Sequence, residues 1–406
     1  MTTPFRIWRR MTMPDLVRVH RYQSLPEQGP KVLFFSGGSA LNKISRVFKQ
    51  YSHHSVHLVT PFDSGGSSAR LRAEFDIPAV GDLRSRLMAL ADETVMGQPE
   101  VYDLFTHRLA QEAKPQALKD QLNALVMGEH PLIVPIPNPM KALIQTQLAV
   151  TQSRIQEDFD LRGASIGNLI MAGGYLNNQQ QLDPIVFLFS RLIKSLGEVK
   201  TTLDASLHLG VELENDDIVL GQHRITGKET CVLSSPIKRM WLNQGLRHVR
   251  PTNRFIATDR QDAIENADLI CYPPGSFYSS VLANLLPEGV GRAICANPNP
   301  KVYLPNLGVD PEQRGLSLMS CIMRLVAVVS DDVNKSEAVD TGGTKAVPLL
   351  GSALDYVLLD DHYDYGDLDE TQLDAMNITV IRTPLITDKP DKYDEKRVAQ
   401  ALLSFV

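Results

Sequence analysis

Two glycine–serine turns constrain this chain more than any other feature. The first ends the run Lys31-Val-Leu-Phe-Phe-Ser-Gly-Gly-Ser-Ala40, and the second is Asp63-Ser-Gly-Gly-Ser-Ser-Ala-Arg70. Each leaves an apolar strand and enters a helical segment. Glycine lets the backbone come close to an anion, and a helix start offers free N–H groups at the positive end of the helix dipole. The pair predicts a phosphate-cradling ligand site near the N-terminus.

The surrounding pattern predicts how those turns are held. A helix from about Asn42 to Tyr51 carries Ile44, Val47 and Phe48, and the strand Val56-His-Leu-Val-Thr60 follows it. This is one βαβ unit, which implies a right-handed crossover and a parallel sheet. Asp82 is placed to cap a helix carrying Leu83, Leu87, Met88 and Leu90, and another helix opens at Gly167. Residues 201–226 alternate apolar and polar positions, as in a hairpin-rich stretch. Ala263–Asp268 reads as a helix end feeding the strand Leu269–Tyr272. Arg292–Asn297, Tyr356–Leu359 and Ile378–Ile381 read as further strands, and Lys392–Phe405 as a closing helix. The expected fold is α/β, a Rossmann-like doubly wound and mainly parallel sheet with a helical insertion. Residues 1–30 read as a polar N-terminal arm and 31–406 as one α/β domain. The insertion lies at about 99–160, interrupted by the proline-rich run 131–139.

A formal charge of −6 without a basic run argues against a general nucleic-acid or membrane-surface binder. No apolar run approaches the roughly 20 residues that cross a bilayer. The first ten residues carry charge without a following apolar stretch, so a cytoplasmic location is expected. Cys231, Cys271, Cys295 and Cys321 form no C-x-x-C pair and read as buried, reduced thiols.

The first turn is neither G-x-G-x-x-G nor a lysine P-loop, so it is read either as a tight βα turn or as an anion cradle. In the second, Arg70 and Arg72 add cationic forks suited to phosphate. Asp63 can hold a metal, polarise a hydroxyl or cap a turn. Pro274-Gly-Ser-Phe-Tyr-Ser-Ser280 is a further candidate anion turn, with Tyr278 either stacking on a ligand or sitting in the core. His53, His54 and His57 lack metal-ligand spacing and read as exposed loop and strand residues. The pairs Asp216-Asp217, Asp331-Asp332 and Asp360-Asp361 read as solvated turns, magnesium being the other role such acidic pairs can take.

Taken in order, these pieces resemble the family of 2-phospho-L-lactate transferase (CofD) and the YvcK-type gluconeogenesis factors (UPF0052). The motifs are Ser36-Gly-Gly-Ser39, Gly65-Gly-Ser-Ser-Ala-Arg-Leu-Arg72, Gly81-Asp-Leu-Arg84 and Gly163-Ala-Ser-Ile-Gly-Asn-Leu169. They continue with Pro274–Ser280 and Asn284-Leu-Leu286, so the resemblance runs from about residue 31 to the C-terminus. It implies a nucleotide diphosphate bound across the strand ends. Gly37, Gly38, Ser39, Lys43, Gly65, Gly66, Ser67, Arg70, Asp82, Arg84, Asn168, Gly275 and Ser276 would surround it, with Tyr278 on the base or sugar. Asp63 would be the catalytic and metal-holding residue, with Mg2+ as cofactor.

The transferase branch moves a phospholactyl group from a guanosine diphosphate carrier to a deazaflavin hydroxyl. The YvcK-type branch resembles a binder of UDP-activated sugars. The chain departs from the family pattern at Ser39-Ala40, where a Gly-Gly-Thr-Gly loop would end in threonine and glycine. Asp63-Ser64 replaces paired aspartates, Ala164 stands at a usual histidine position, and the helical stretch around 105–160 is longer. Two functions are therefore expected: transfer of a phospho-acyl group from a GDP- or UDP-linked donor, or non-catalytic binding of a UDP-sugar in regulation. The implied partners are a nucleotide diphosphate or nucleotide sugar, without nucleic acid or membrane. Oligomeric state stays open, a homodimer through surface helices being one expectation.

Overall fold

The strands form where the sequence runs apolar on both faces of the chain. In a computed structural model describing residues 12–227, 233–340, 351–387 and 391–406, β1 (Val32–Ser36) is buried along its whole length. Val32 and Phe34 enter one core with Leu41, Ile44 and Phe48, while Leu33 and Phe35 enter another with Val56, Leu58 and Ile270. The period of two thus feeds two layers at once, as expected of a strand covered on both faces.

Among the described residues, seven strands make the main sheet. Around β1 lie β2 (Val56–Val59), β3 (Glu198–Thr201), β7 (Leu269–Tyr272), β8 (Lys301–Tyr303), β9 (Tyr356–Asp360) and β10 (Thr379–Thr383). Their order is β10-β9-β8-β7-β1-β2-β3, and every pairing is parallel. A separate three-stranded antiparallel sheet, β5-β4-β6, comprises β4 (His208–Leu213), β5 (Ile218–Leu220) and β6 (Ile237–Asn243). This is the expected α/β class with a doubly wound parallel sheet.

The insertion contains helices Pro99–Thr106, Pro115–Met127 and Met140–Arg154. They share a third core with helices Ile166–Asn177 and Leu182–Leu192. Within the segment expected as an arm, helix Leu16–Ser24 buries Val19, and the Asp15 N–H donates to Ser404 Oγ at 2.7 Å. Among the described residues, no helix is long and apolar enough to cross a membrane.

Several expectations are corrected. The expected strand Arg292–Asn297 is not a strand: residues 292–296 belong to helix Val290–Ala296, and Asn297 follows its end. The apolar run fits either element; the Asp332 carboxylate decides it by accepting the N–H groups of Gly289 and Arg292 at the helix start. Asp332 is accordingly buried rather than solvated. Asp360 is buried too, accepting the N–H groups of His362, Tyr363, Leu385 and Ile386. His57 is fully buried and stacks on Phe34 at 4.9 Å between centroids; burial pushes it towards the neutral form. Asp82 lies inside the first turn of helix Gly81–Leu90 rather than at its cap. Cys271, Cys295 and Cys321 are free and buried, as expected, and Cys231 lies outside the described residues.

Candidate functional site

Where the winding direction of a doubly wound sheet reverses, the loops of two neighbouring strands part and leave a crevice at the strands' C-terminal ends. Here that point lies between β1 and β7. A cavity of about 220 Å³ is found there. Gly38, Ser39 and Ala40 line it from the β1 loop, Asp63 and Gly65 from the β2 loop, and Asp82 from helix Gly81–Leu90. Ser276 and Ser280 come from the turn after β7, and Gln222, His223 and Thr226 from beyond β5.

The β1 loop is held in shape by Arg86, which is fully buried. Its guanidinium donates to Gly38 O at 2.9 Å, Gly37 O at 3.3 Å and Ser45 Oγ at 2.6 Å. In a trans peptide the N–H points opposite to the preceding C=O. Drawing the Gly37 and Gly38 carbonyls towards Arg86 therefore turns the N–H groups of Gly38 and Ser39, two residues that line the cavity, away from it. Both glycines are closely packed: a Cβ on Gly37 would strike the Ser280 side chain and one on Gly38 would strike Asp82 Oδ1, so that either side chain would have to shift.

Among the described residues the lining contains two carboxylates and neither lysine nor arginine. Asp63 Oδ1 accepts the Gly65 N–H at 3.0 Å, so the aspartate shapes its own turn. Its Oδ2 lies next to Gly81, the residue before Asp82. Hard carboxylate oxygens beside a phosphate-sized cavity fit Mg2+, which takes one or two carboxylates and completes its shell with phosphate and water. Asp63 and Asp82 are the residues that would hold it.

His223 entered no sequence expectation. Gly221, at φ +98°, turns the chain out of β5 and lays Gln222, His223 and Thr226 along the cavity. Ser64 Oγ lies 2.7 Å from His223 Nδ1 and accepts the His223 N–H at 3.1 Å. Ser64 thus anchors the imidazole at the position where the family pattern has a second aspartate. Gln222 is buried, and its Oε1 has no hydrogen-bond partner among the described residues. The one signal available in sequence was the departure at Ser64; alternation in 201–226 announces a hairpin but not where its end lands.

The other expected residues are arranged around this centre. Arg70 pairs with Asp160 at 2.9 Å and reaches the carbonyls of Asp160 and Arg162. Arg72 is buried against the carbonyls of Phe62, Asp63, Ile77 and Leu207. Arg84 Nε donates to Asn168 Oδ1 at 2.8 Å, and Asn168 Nδ2 donates to Ser67 Oγ at 3.3 Å. Burial lowers both Arg72 and Arg84 to about 10. Lys43 is exposed and faces Glu395 at 3.7 Å. Gly66 adopts φ +50° at the start of helix Gly66–Phe75.

The turn after β7 is clamped from behind by acceptors. Asn306 takes the Gly275 N–H, Asp310 the Phe277 N–H, and Glu312 the N–H groups of Tyr278 and Ser279. Tyr278 itself is buried, its hydroxyl donating to Ile237 O at 3.2 Å and accepting from Arg324 at 2.6 Å. The structure therefore gathers Gly38, Ser39, Asp63, Gly65, Asp82 and Ser276 at the cavity. Lys43, Arg70, Arg84, Asn168 and Tyr278 stand outside its lining.

A larger groove of about 1290 Å³ lies at the opposite, N-terminal ends of the strands. Its Lys200 is paired with Glu198 and Asp259. Ligands of doubly wound folds bind at the other end, and the smaller cavity carries the candidate chemistry.

The family model for 2-phospho-L-lactate transferase CofD matches residues 32–386. The chain belongs to the CofD family. Within it, the chain is similar to the gluconeogenesis factor of Bacillus subtilis (strain 168), at 27% identity over 397 residues, covering 93% of this chain and 99% of that relative. The gluconeogenesis factor of Listeria monocytogenes is 28% identical over 281 residues, 69% of this chain and 68% of the relative. A crystal structure of a UPF0052 family member from Bacillus halodurans shares the fold, with a TM-score of 0.65 at 24% identity over 93% of this chain and 99% of the other.

Proposed function

We propose that this CofD-family protein binds a nucleotide diphosphate conjugate, GDP- or UDP-linked, at the β1/β7 crevice as a magnesium complex. The observation that carries the reading is the β1 loop, whose Gly38 and Ser39 line the cavity while Arg86 holds the Gly37 and Gly38 carbonyls, so that the N–H groups of Gly38 and Ser39 face away from that guanidinium. Such N–H groups receive phosphate oxygens without a side-chain cation. Asp63 and Asp82 would hold the metal, which supplies the countercharge for the diphosphate. The similarity to gluconeogenesis factors favours a regulatory role for this binding.

Transfer is a second reading, favoured by Asp63 lining the same cavity. An acceptor hydroxyl oxygen would bond to the distal phosphorus of the donor, and the bond from that phosphorus to the bridging oxygen would break. The nucleoside monophosphate leaves with that electron pair, and the hydroxyl proton passes to Asp63. Positioning and charge stabilisation would supply the rate.

A thermal-shift panel of GDP, UDP, UDP-N-acetylglucosamine, NAD and FAD, each with and without Mg2+, tests the proposal. A ligand at 100 times its dissociation constant adds about 2.7 kcal/mol of stability. Stabilisation by a diphosphate nucleotide or its conjugate only with Mg2+ is expected. No shift with either base at millimolar concentration would overturn it. Recovery of the bound conjugate intact favours the regulatory role, and release of nucleoside monophosphate favours transfer.

A further inference from the structure

The chain is acidic overall, yet residues 244–257 hold three arginines, one histidine and no acidic residue. Arg247, His248, Arg250 and Arg254 are exposed. Among the described residues none of the three arginines forms an ion pair; Arg254 reaches only Asn253 O. Apolar side chains stand out between them, with Leu246 41%, Val249 47% and Phe255 76% exposed. Lone exposed apolar residues are ordinary, but these three alternate along one loop with three guanidinium groups that form no ion pair among the described residues.

This loop is built to hold its shape. Asn243 Nδ2 donates to Gly245 O at 2.8 Å and His248 O at 2.9 Å, while its Oδ1 accepts the Arg250 N–H at 2.7 Å. The Gln244 N–H donates to Arg250 O and the Thr252 N–H to Leu242 O, both at 2.9 Å. Farther along, Arg254 O accepts the Glu288 N–H at 2.8 Å, and Glu288 O accepts the Ile256 N–H at 3.0 Å. One buried asparagine therefore staples the loop from inside, and residue 288 pins its exit.

We propose that the 244–255 loop is a docking surface for a partner protein that presents an acidic segment carrying apolar side chains. Charge complementarity selects the acidic component: three guanidinium forks match carboxylates two oxygens at a time. Leu246, Val249 and Phe255 select the apolar component, and arginine with aromatic residues is the composition enriched at protein interfaces. The internal staple favours a protein partner over a polyanion or a bilayer, because a loop fixed beforehand loses little entropy on binding a defined shape. Anionic membranes are met instead by denser basic clusters, and nucleic acids by basic stripes on basic proteins. The loop is not part of the cavity lining, so the proposal stands apart from the nucleotide reading.

The test displays random twelve-residue peptides on phage and selects them in parallel on the full-length protein and on its Arg247→Glu/Arg250→Glu variant. Peptides interleaving aspartate or glutamate with leucine or phenylalanine should enrich on the parent protein alone. A synthetic copy of an enriched peptide should bind the parent at least tenfold tighter than the variant by fluorescence anisotropy, and Phe255→Ser should weaken it at least threefold. The proposal fails if no enriched peptide is both acidic and arginine-dependent. It also fails if the two arginines govern sedimentation with phosphatidylserine vesicles or binding of oligo-dT while peptide binding is indifferent to them. Should the double reversal unfold, Arg247→Gln/Arg250→Gln carries the same comparison. Nucleotide-induced thermal shifts of the variant are expected to match those of the parent, which separates failure of the loop from failure of the pocket.

Discussion

Arg86 does at the candidate site what no exposed arginine can. It is fully buried, Asp82 supplies part of its countercharge, and burial lowers it to about 9. It remains a cation at neutral pH, spending its donors on loop carbonyls. Arg86→Met should release the Gly37 and Gly38 carbonyls and leave them without a donor, at a cost of about 2–4 kcal/mol in stability. Binding of the magnesium–nucleotide complex should weaken at least tenfold in denaturation and calorimetric titrations; full-strength binding would show that the N–H cradle needs no such tether. Glu312 gives the turn after β7 a similar support, and it titrates. Burial first, and then the Asp310 charge, raise its carboxyl from 4.5 to about 7. A carboxyl raised on folding holds a proton the unfolded chain has released, so its contribution is complete below about 4.5 and is lost as pH climbs through about 7. Thermal stability should therefore fall across that window by at most about 3 kcal/mol. Glu312→Gln, which keeps an acceptor for the two N–H groups, should flatten that component, and identical pH profiles would remove the assignment. Neither residue was legible in sequence. An arginine on an amphipathic helix and a glutamate after a proline both read as surface groups until the fold brings carbonyls or N–H groups to them.

Elements were legible where pattern and punctuation agreed. The β1 loop stands out in the sequence because Gly37-Gly38 follows a continuous apolar run, and Ser280 and Asp82 crowd these two glycines in the fold. Gly38→Ala should accordingly displace helix Gly81–Leu90 or its Asp82 and cut nucleotide affinity at least tenfold in the thermal-shift panel. Gly308→Ala is a useful contrast: its φ of +78° strains alanine, but nothing lies near the added methyl and the site is untouched. Equal losses in both variants would point to general destabilisation instead. Strand β8 has no clear signal in the sequence, because Lys301-Val-Tyr303 is short and flanked by Pro298, Pro300 and Pro305. Residues 292–297 were misassigned because six apolar-rich residues suit a buried strand or a buried helix equally, and only the distant Asp332 distinguishes them. The same holds for the end of β5. Its hairpin period was plain, but its arrival beside Ser64 is a tertiary event.

At the scale of the whole molecule, the ligand proposed above is a polyanion, and it would enter an acidic protein through a cavity bearing Asp63 and Asp82. Arg70 and Arg72 are expected as cationic forks for phosphate and Arg84 as a binding residue implied by the family resemblance, whereas in the folded chain Arg70 and Arg72 hold backbone carbonyls and Arg84 holds Asn168 Oδ1 and Phe105 O. Two unit charges about 4 Å apart at an effective dielectric near 20 interact by about 4 kcal/mol. Neutral N–H donors contribute only about 1 kcal/mol each. The repulsion between carboxylates and diphosphate therefore exceeds what the cradle offers, unless a divalent cation reverses its sign. Chelating Mg2+ should weaken binding of the nucleotide conjugate at least 100-fold, about 2.7 kcal/mol. The carboxylates should also explain the dependence: in Asp63→Asn or Asp82→Asn the ratio of affinities with and without Mg2+ should shrink several-fold. Metal-free binding should improve in either variant, since one negative charge is gone. Calorimetric titration of all three proteins with UDP-N-acetylglucosamine and GDP, in Mg2+ and in EDTA, makes the comparison. Affinities that ignore both the metal and the aspartates would mean that the diphosphate lies somewhere other than between β1 and β7.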